Sequence, residues 1–238
     1  MDLYEHFSHK LHELFETSSF FRAYMTAPEG YCALDDIDNE VENLHVYSGA
    51  TRCCLIDDEY DDWVVKFDTC VYDDDPACER ECCIYDAAKM CGLDQYFCAI
   101  KPIGTFTHTF YSFPAKYIND MSAEVYTDDD FYSYIENFPE TENTPYTVSF
   151  QLYACQRAEQ HCISYCSKEE SKRVRCISSP LHSRDNRVAV AFVREYGWDE
   201  YMRFSEFGEE WEINDIHTNN IGFIDDKLVL LDYAGYHE

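Results

Sequence analysis

Two carboxylates and one carboxamide recur at fixed intervals near the C-terminus, in the segment EINDIHTNNIGFIDDKLVLLDYAG at residues 212–235. They are Asp215, Asn220 and Asp232. Carboxylate and amide oxygens are the ligands preferred by a hard cation such as Mg²⁺, which also accepts water and phosphate oxygens. Any one of these residues would be ordinary in a turn. The set of three is better explained by a cation site.

The residues between Asn220 and Asp232 form the pattern of a short β-hairpin. Two apolar runs, IGFI and KLVLL, flank Asp225 and Asp226, and this predicts a two-residue turn. Counting back from that turn places Asn220 opposite Leu231, beside Asp232. Asp215 then lies in the loop that leads to the same open end of the hairpin.

A second pair of charged residues occurs in the first half of the chain. Lys66 interrupts the apolar run of DWVVKFD, which predicts an ammonium group on a buried strand. The helix predicted at 76–91 has an apolar face, and at 100° per residue Glu81 falls in the middle of it while Glu79 lies opposite. An inward carboxylate needs a cation, and Lys66 is the natural candidate. The alternative is an exposed lysine and an unrelated helical glutamate.

The elements that would position these residues can be predicted from periodicity and composition. The prediction is a helix over 1–25, three strands in 43–72, a helix at 76–91, two strands in 96–118, a mainly helical region over 120–211, and the closing hairpin. Five strands with one helix after the third, followed by a helical half, indicate a two-lobed α+β arrangement.

The order of these parts resembles the protein kinase-like fold. VVKF is similar to the kinase V-A-I-K motif, DIHTNN to the catalytic loop, and LLDYAG to D-F-G, with Ala234 at the glycine position. The resemblance implies that Lys66 holds the α and β phosphates of ATP and that Glu81 is its helix partner. It implies that Asp215 is the catalytic base and that Asn220 and Asp232 bind Mg²⁺.

The resemblance also places the phosphate-covering loop at YSGATRCCLI, where it implies nucleotide contacts by Ser48, Gly49, Ala50 and Thr51. This loop has a single glycine and matches the kinase pattern less well than the other motifs.

The catalytic loop departs from that of typical protein kinases. Ile213 and Asn214 stand where those enzymes have His-Arg. D-I-H-x-x-N instead resembles the loop of aminoglycoside phosphotransferases and choline kinases. The resemblance implies a minimal, C-terminally truncated kinase-like protein without an activation segment, similar to small kinase-like proteins of bacteria and their phages.

The resemblance implies three regions. Residues 1–42 are expected to form an N-terminal helical extension, and residues 43–118 an N-lobe with a five-stranded antiparallel sheet and one helix. Residues 119–238 are expected to form a reduced, mainly helical C-lobe that ends in the metal-binding hairpin.

Composition restricts the partners. The formal net charge is −29, so a basic patch that binds DNA or RNA is not expected, nor is attraction to anionic membranes. No stretch resembles a signal peptide or a membrane span, so a cytoplasmic location is expected. Such an acidic surface could instead dock on a basic protein partner, as a nucleic-acid mimic does.

The chain has 13 cysteines, an odd number that argues against a complete disulfide framework. In CQRAEQHCISYC, Cys155, His161, Cys162 and Cys166 lie close in sequence. A zinc site is one interpretation, and small buried apolar side chains are the other.

Two functions are therefore open. The first is an ATP–Mg²⁺-dependent phosphotransferase of unknown acceptor, with the acceptor held by the region 120–210. The second is a catalytically inactive kinase-fold interaction protein that docks on a basic partner through its acidic surface, for example as an inhibitor.

Overall fold

The computed structural model describes residues 2–18, 21–22, 25, 39–48, 52–68, 76–110, 145–176, 179–182, 186–214 and 216–234. This part of the chain is α+β, with five bounded α-helices and seven strands. None of the helices it contains combines the length and the apolar character needed to cross a membrane.

The chain forms two compact units, each assembled from two separate segments. Unit 1 comprises Met1–Pro76 and Lys101–Cys155, and unit 2 comprises Ala77–Ile100 and Gln156–Glu238. The regions expected from the sequence were instead continuous, with boundaries after residues 42 and 118.

Unit 1 is built on a five-stranded sheet. Its strands are β1 (Leu44–Ser48), β2 (Arg52–Asp57), β3 (Trp63–Asp68), β4 (Ile100–Phe110) and β5 (Tyr146–Gln156). They lie in the order β1-β2-β3-β5-β4. The first three form an antiparallel meander, so β1 and β4 are the edge strands.

Strands β4 and β5 are also antiparallel, as their side-chain hydrogen bonds show. Thr105 bonds to Gln151 over 3.0 Å and Thr107 to Ser149 over 2.9 Å, so residue numbers rise on one strand as they fall on the other. The alternate residues, Phe106 among them, lie in the apolar core, as the two-residue period of a strand requires.

Helix α1 (Leu3–Thr17) covers the core face of this sheet. Asp2 caps it, its side chain accepting a hydrogen bond from the Glu5 N–H over 2.8 Å. The helix buries Phe7, Leu11, Leu14 and Phe15 in one cluster with residues of all five strands. The predicted N-terminal extension thus supplies one layer of the core of unit 1.

One prediction about strands was wrong. Residues 96–118 were expected to hold two strands, but their described part, up to residue 110, holds only β4. The partner strand β5 lies at Tyr146–Gln156, inside the region predicted to be helical. Its sequence YTVSFQLYACQ alternates as a half-buried strand does, with Val148 and Leu152 buried. This alternation was the missed signal.

Helix α2 (Ala77–Cys91) confirms the helix predicted at 76–91. Gly92 follows it with a φ of +68°, the left-handed conformation that ends many helices. Glu81 is completely buried and Glu79 is exposed, as the helical period predicts. The sequence assigned this helix to the N-lobe, whereas it belongs to unit 2.

Unit 2 continues with three helices and a hairpin. They are α3 (Lys168–Val174), α4 (Asn186–Tyr196), α5 (Trp198–Glu210), β6 (Ile221–Ile224) and β7 (Lys227–Leu230). An aromatic cluster of Tyr96, Phe192, Tyr196 and Phe204 lies in its core. The ring centroid of Phe192 is 4.9–5.0 Å from those of the other three, and the centroids of Tyr96 and Tyr196 are 4.6 Å apart.

Candidate functional site

The hairpin of the predicted metal site has the register read from the sequence. Ile221 pairs with Leu230 and Ile224 with Lys227. The two turn residues, Asp225 and Asp226, have φ values of +50° and +63°. Two successive residues with positive φ are the mark of a type I′ turn, whose twist matches that of the flanking strands.

The helices of unit 2 hold this hairpin in place. The Tyr196 hydroxyl, at the end of α4, donates to the carbonyl oxygen of Leu228 over 2.5 Å. Burial raises the pKa of Tyr196 to about 12, with the nearby Glu195 carboxylate adding to the shift. The hydroxyl therefore keeps its proton at neutral pH and remains a donor.

The segment at 158–159 pairs with strand β6 through an antiparallel β-bridge between Glu159 and Phe223. Glu159 and Phe223 exchange two backbone hydrogen bonds of 2.9 and 2.8 Å. A Cβ added to the neighbouring Gly222 would lie 2.8 Å from the Ala158 Cβ and 3.2 Å from the Glu159 carbonyl oxygen. The absence of a side chain at Gly222 is what permits this approach.

A short turn leads into the hairpin and orients Asn220. The turn covers Thr218–Asn220, and His217 caps it, its Nδ1 accepting from the Asn219 N–H over 3.2 Å. The Asn220 N–H donates to the His217 carbonyl oxygen over 2.9 Å. At the other side of the hairpin the Leu231 N–H donates to the Asn220 carbonyl oxygen, also over 2.9 Å.

Asp232 is positioned by backbone N–H groups of the residues on either side of it. The preceding amide, that of Leu231, is bonded to Asn220. The following amide, that of Tyr233, donates to Glu81 Oε1 over 3.2 Å. Glu81 and Asp232 were predicted as site residues from separate patterns in the sequence. Glu81 accepts this hydrogen bond from Tyr233, the residue that directly follows Asp232.

Tyr233 is a site residue that the sequence reasoning did not single out. It is fully buried, its hydroxyl donates to the Cys98 carbonyl oxygen over 2.9 Å, and its ring lies edge-on to Phe97 at 4.9 Å. Its position after Asp232, where the resembled motif has an aromatic residue, was the available signal. Tyr233 anchors the chain directly after the predicted metal ligand.

The backbone thus brings Asn220 and Asp232 to the same end of the hairpin, and both side chains are half-buried. Their convergence on one cation stays a prediction. Carboxylate and amide oxygens are a chemically suitable donor set for Mg²⁺, which would fill its remaining positions with water or phosphate.

Lys66 occupies the position that the sequence predicted for it. It lies in β3, opposite Cys54 of β2, and its exposure is 8%. Val65 and Phe67 face the core beside α1, so Lys66 lies on the other face of the sheet. A lysine this buried has to be paired or hydrogen-bonded. Its ion pair with Glu81 stays a prediction.

The structure describes only one of the remaining predicted site residues. Asp215, Gly49, Ala50 and Thr51 lie outside the described residues, and Ser48 is described only as the last residue of β1. The roles of a catalytic base and of a phosphate-covering loop therefore stay predictions.

The cysteine-rich segment does not assemble a metal site among the described residues. Cys162 is exposed and Cys166 is half-exposed, and neither belongs to a group of three potential ligands. None of the eleven cysteines in the described ranges forms a disulfide.

Comparisons of the chain with protein-family models, with curated proteins and with solved structures found no match. The site therefore has to be interpreted from its own geometry and chemistry.

Proposed function

We propose that this protein is an ATP–Mg²⁺-dependent phosphotransferase. The observation that carries the proposal is the hydrogen bond from the Tyr233 N–H to Glu81 Oε1. The two residues are 152 positions apart in the chain. The kinase-like interpretation selected the helix glutamate and the aspartate after the hairpin on independent grounds, and Glu81 accepts this hydrogen bond from the residue that follows Asp232.

The fold supplies a second line of support. A kinase-like order of parts requires a lysine on the third strand, a helix directly after it, and two further strands in the same sheet. Strand β3 carries a buried Lys66, α2 follows it, and β4 and β5 complete a five-stranded antiparallel sheet. A two-lobed kinase-like fold is the arrangement that this order supports best.

In the proposed reaction the protein acts by positioning and charge neutralisation. Bound Mg²⁺ would neutralise phosphate charge and orient the transferred group, held by the side-chain oxygens of Asn220 and Asp232. Lys66 would bind the nucleotide phosphates, and Glu81 would orient Lys66. Asp215 would accept the proton of the acceptor hydroxyl.

The test is a thermal-shift titration with ATP, in the presence and absence of Mg²⁺. A ligand that binds only the folded state raises the midpoint of unfolding, by an amount set by its concentration relative to Kd. We expect a Mg²⁺-dependent rise for the parent protein and none for Asp232→Asn. Asp226→Asn is the matched control, because it makes the same change at an exposed turn residue of the same hairpin.

A flat response of the parent protein to ATP with Mg²⁺ would contradict nucleotide binding. An unchanged response of Asp232→Asn would contradict the assignment of the metal ligand. Both variants replace a carboxylate with a carboxamide of nearly the same shape, so loss of folding does not confuse the comparison.

A second candidate function is supported by the charge of the molecule. A protein of net charge −29 attracts basic partners, and Asp58, Asp61 and Asp62 are exposed together after β2. A kinase-fold interaction protein without turnover would use this surface to dock on a basic protein. Asp57 does not belong to this surface because it is fully buried. A cytoplasmic location suits either function.

A further inference from the structure

A group of polar side chains that the proposed nucleotide site does not use lies in unit 1, and two of them are buried. His6 lies in α1 and Asp57 ends strand β2, with exposures of 6% and 0%. His6 Nε2 is 3.1 Å from Asp57 Oδ2. Neither atom has the geometry of a hydrogen bond to any group in the described part of the chain. The two atoms are at ion-pair distance but lack hydrogen-bond geometry, and a cation bound between them would satisfy both.

Glu59 is the third member of the group, and its side chain is exposed to solvent. One ligand atom from each of His6, Asp57 and Glu59 lies within 4.8 Å of the others. The Glu59 N–H donates to Asp57 Oδ1 over 2.8 Å, which fixes the carboxylate so that Oδ2 faces His6. Glu59 is exposed, so an ion can reach the buried pair from water.

The distances fit ligands around one metal ion. Zn²⁺ binds histidine nitrogen and carboxylate oxygen at about 2.0–2.2 Å, which places neighbouring ligands about 3.0–3.6 Å apart in four- to six-coordinate geometry. The His6–Asp57 separation of 3.1 Å falls within this range. Imidazole nitrogen and carboxylate oxygen are both ligands that Zn²⁺ accepts, and three protein ligands leave a fourth position for water.

Lys10 also bears on this group. Its Nζ is 3.4 Å from Asp57 Oδ2, and it donates to the Glu42 carbonyl oxygen over 2.5 Å. Lys10 offsets part of the Asp57 charge when no metal is bound. Because an ammonium group repels a divalent cation, it should also weaken metal binding.

We infer that His6, Asp57 and Glu59 bind one divalent transition-metal ion, with Zn²⁺ the best chemical fit. The ion joins α1 to the end of β2 and stabilises unit 1. This site is separate from the proposed nucleotide site and does not depend on it.

The test measures bound Zn²⁺ by equilibrium dialysis and elemental analysis, on the full chain under reducing conditions. The parent is compared with His6→Gln and Glu59→Gln. His9→Gln is the matched control, because it removes an exposed imidazole of the same helix that lies outside the group. Far-UV circular dichroism establishes that each variant is folded. Glu59→Gln keeps the test informative if His6→Gln does not fold.

We expect both ligand variants to lose one equivalent of tightly bound Zn²⁺ or at least about tenfold in affinity, since even outer-shell partners contribute about 10–100-fold. His9→Gln should match the parent. Lys10→Met should bind Zn²⁺ more tightly than the parent because a like charge has been removed. Equal binding by the parent, His6→Gln and Glu59→Gln would overturn the inference.

Free thiols could also bind Zn²⁺, so the ligand type is checked with Co²⁺. Cobalt held by nitrogen and oxygen shows visible bands without the intense near-ultraviolet charge-transfer band given by thiolate ligands. We expect the Glu59→Gln difference spectrum to lack that band. A difference spectrum dominated by it would assign the metal to cysteines and overturn the site.

Discussion

At the scale of the residue, the buried carboxylate of Glu81 has the largest consequences. Its Oε1 accepts from the Tyr233 N–H. Glu81→Ala leaves that buried N–H without its acceptor, so we expect a loss of about 1–3 kcal/mol in the free energy of unfolding. Glu81→Gln keeps an acceptor oxygen and should lose less. Urea denaturation monitored by circular dichroism measures both.

Glu79→Ala is the control for this prediction, since Glu79 is exposed on the same helix. Its effect should stay within about 0.5 kcal/mol. Equal destabilisation by Glu79→Ala and Glu81→Ala would show that the Tyr233 hydrogen bond contributes nothing measurable.

The helical period was enough to distinguish Glu81 from Glu79 in the sequence. It could not identify the donor, because that donor is the backbone N–H of Tyr233, and every residue except proline has such a group. Sequence patterns indicate which side chains face inward. They do not indicate which distant peptide group will meet them.

At the scale of the element, the hairpin depends on the lack of a side chain at Gly222. A Cβ there would lie 2.8 Å from the Ala158 Cβ. Gly222→Ala should therefore destabilise the protein by about 1–3 kcal/mol through overpacking. In the double variant with Ala158→Gly the clashing carbon is removed, so part of the stability should return. Thermal or urea unfolding of all four proteins gives the coupling, and strict additivity would contradict the proposed clash.

Glu170, in the first turn of α3, makes the stability of the fold depend on pH. Hydrogen bonds from the Ser167 hydroxyl and backbone, and from the Arg194 guanidinium, lower the pKa of Glu170 from 4.5 to about 2. A carboxylate with a depressed pKa stabilises the fold above its unfolded pKa, and this contribution is lost as pH falls from about 4.5 toward 2.

We therefore expect the parent to unfold at a higher temperature than Glu170→Gln at pH 6. The difference should shrink steadily below pH 4.5, the ordinary value for this group. Differential scanning calorimetry across this range measures it. A difference between the two proteins that does not change with pH would contradict the assignment.

The elements themselves were predictable where local signals were strong. The hairpin register followed from an Asp-Asp turn between two apolar runs, and α2 followed from its period and Gly92. Strand β5 was missed because its neighbours in sequence favoured helix. Its pairing with β3 and β4 is a long-range property that no local window contains.

At the scale of the whole molecule, different variants distinguish the phosphotransferase from the acidic docking protein. If the protein is a phosphotransferase, Asp215→Asn should keep the Mg²⁺–ATP thermal shift. Its phosphotransfer rate should fall by about 10²–10⁴, the usual contribution of a general base. Hydrolysis of radiolabelled ATP, or transfer to an acceptor, measures that rate. Asp226→Asn serves as the control.

If the protein instead docks through its acidic surface, the exposed Asp58, Asp61 and Asp62 should matter and Asp215 should not. Neutralising these three to Asn should weaken retention on immobilised polylysine, and retention of the parent should fall as salt rises. No phosphotransfer by the parent protein, together with this loss of retention, would contradict the phosphotransferase proposal. Full phosphotransfer by Asp215→Asn would contradict only the role of Asp215 as the base.

The path of the chain through the two units also sets an order for synthesis on the ribosome. Unit 1 has all of its segments once residue 155 has emerged, whereas unit 2 begins at residue 77 and takes its second segment from residue 156 onward. Helix α2 therefore cannot contact the second segment of unit 2 until that segment has been synthesised. The hydrogen bond between Glu81 and Tyr233 needs 152 further residues to be added after Glu81. During that interval the apolar face of α2 and the carboxylate of Glu81 lack their contacts with the second segment of unit 2. Translation rate and chaperone supply should therefore limit the yield of unit 2 more than that of unit 1.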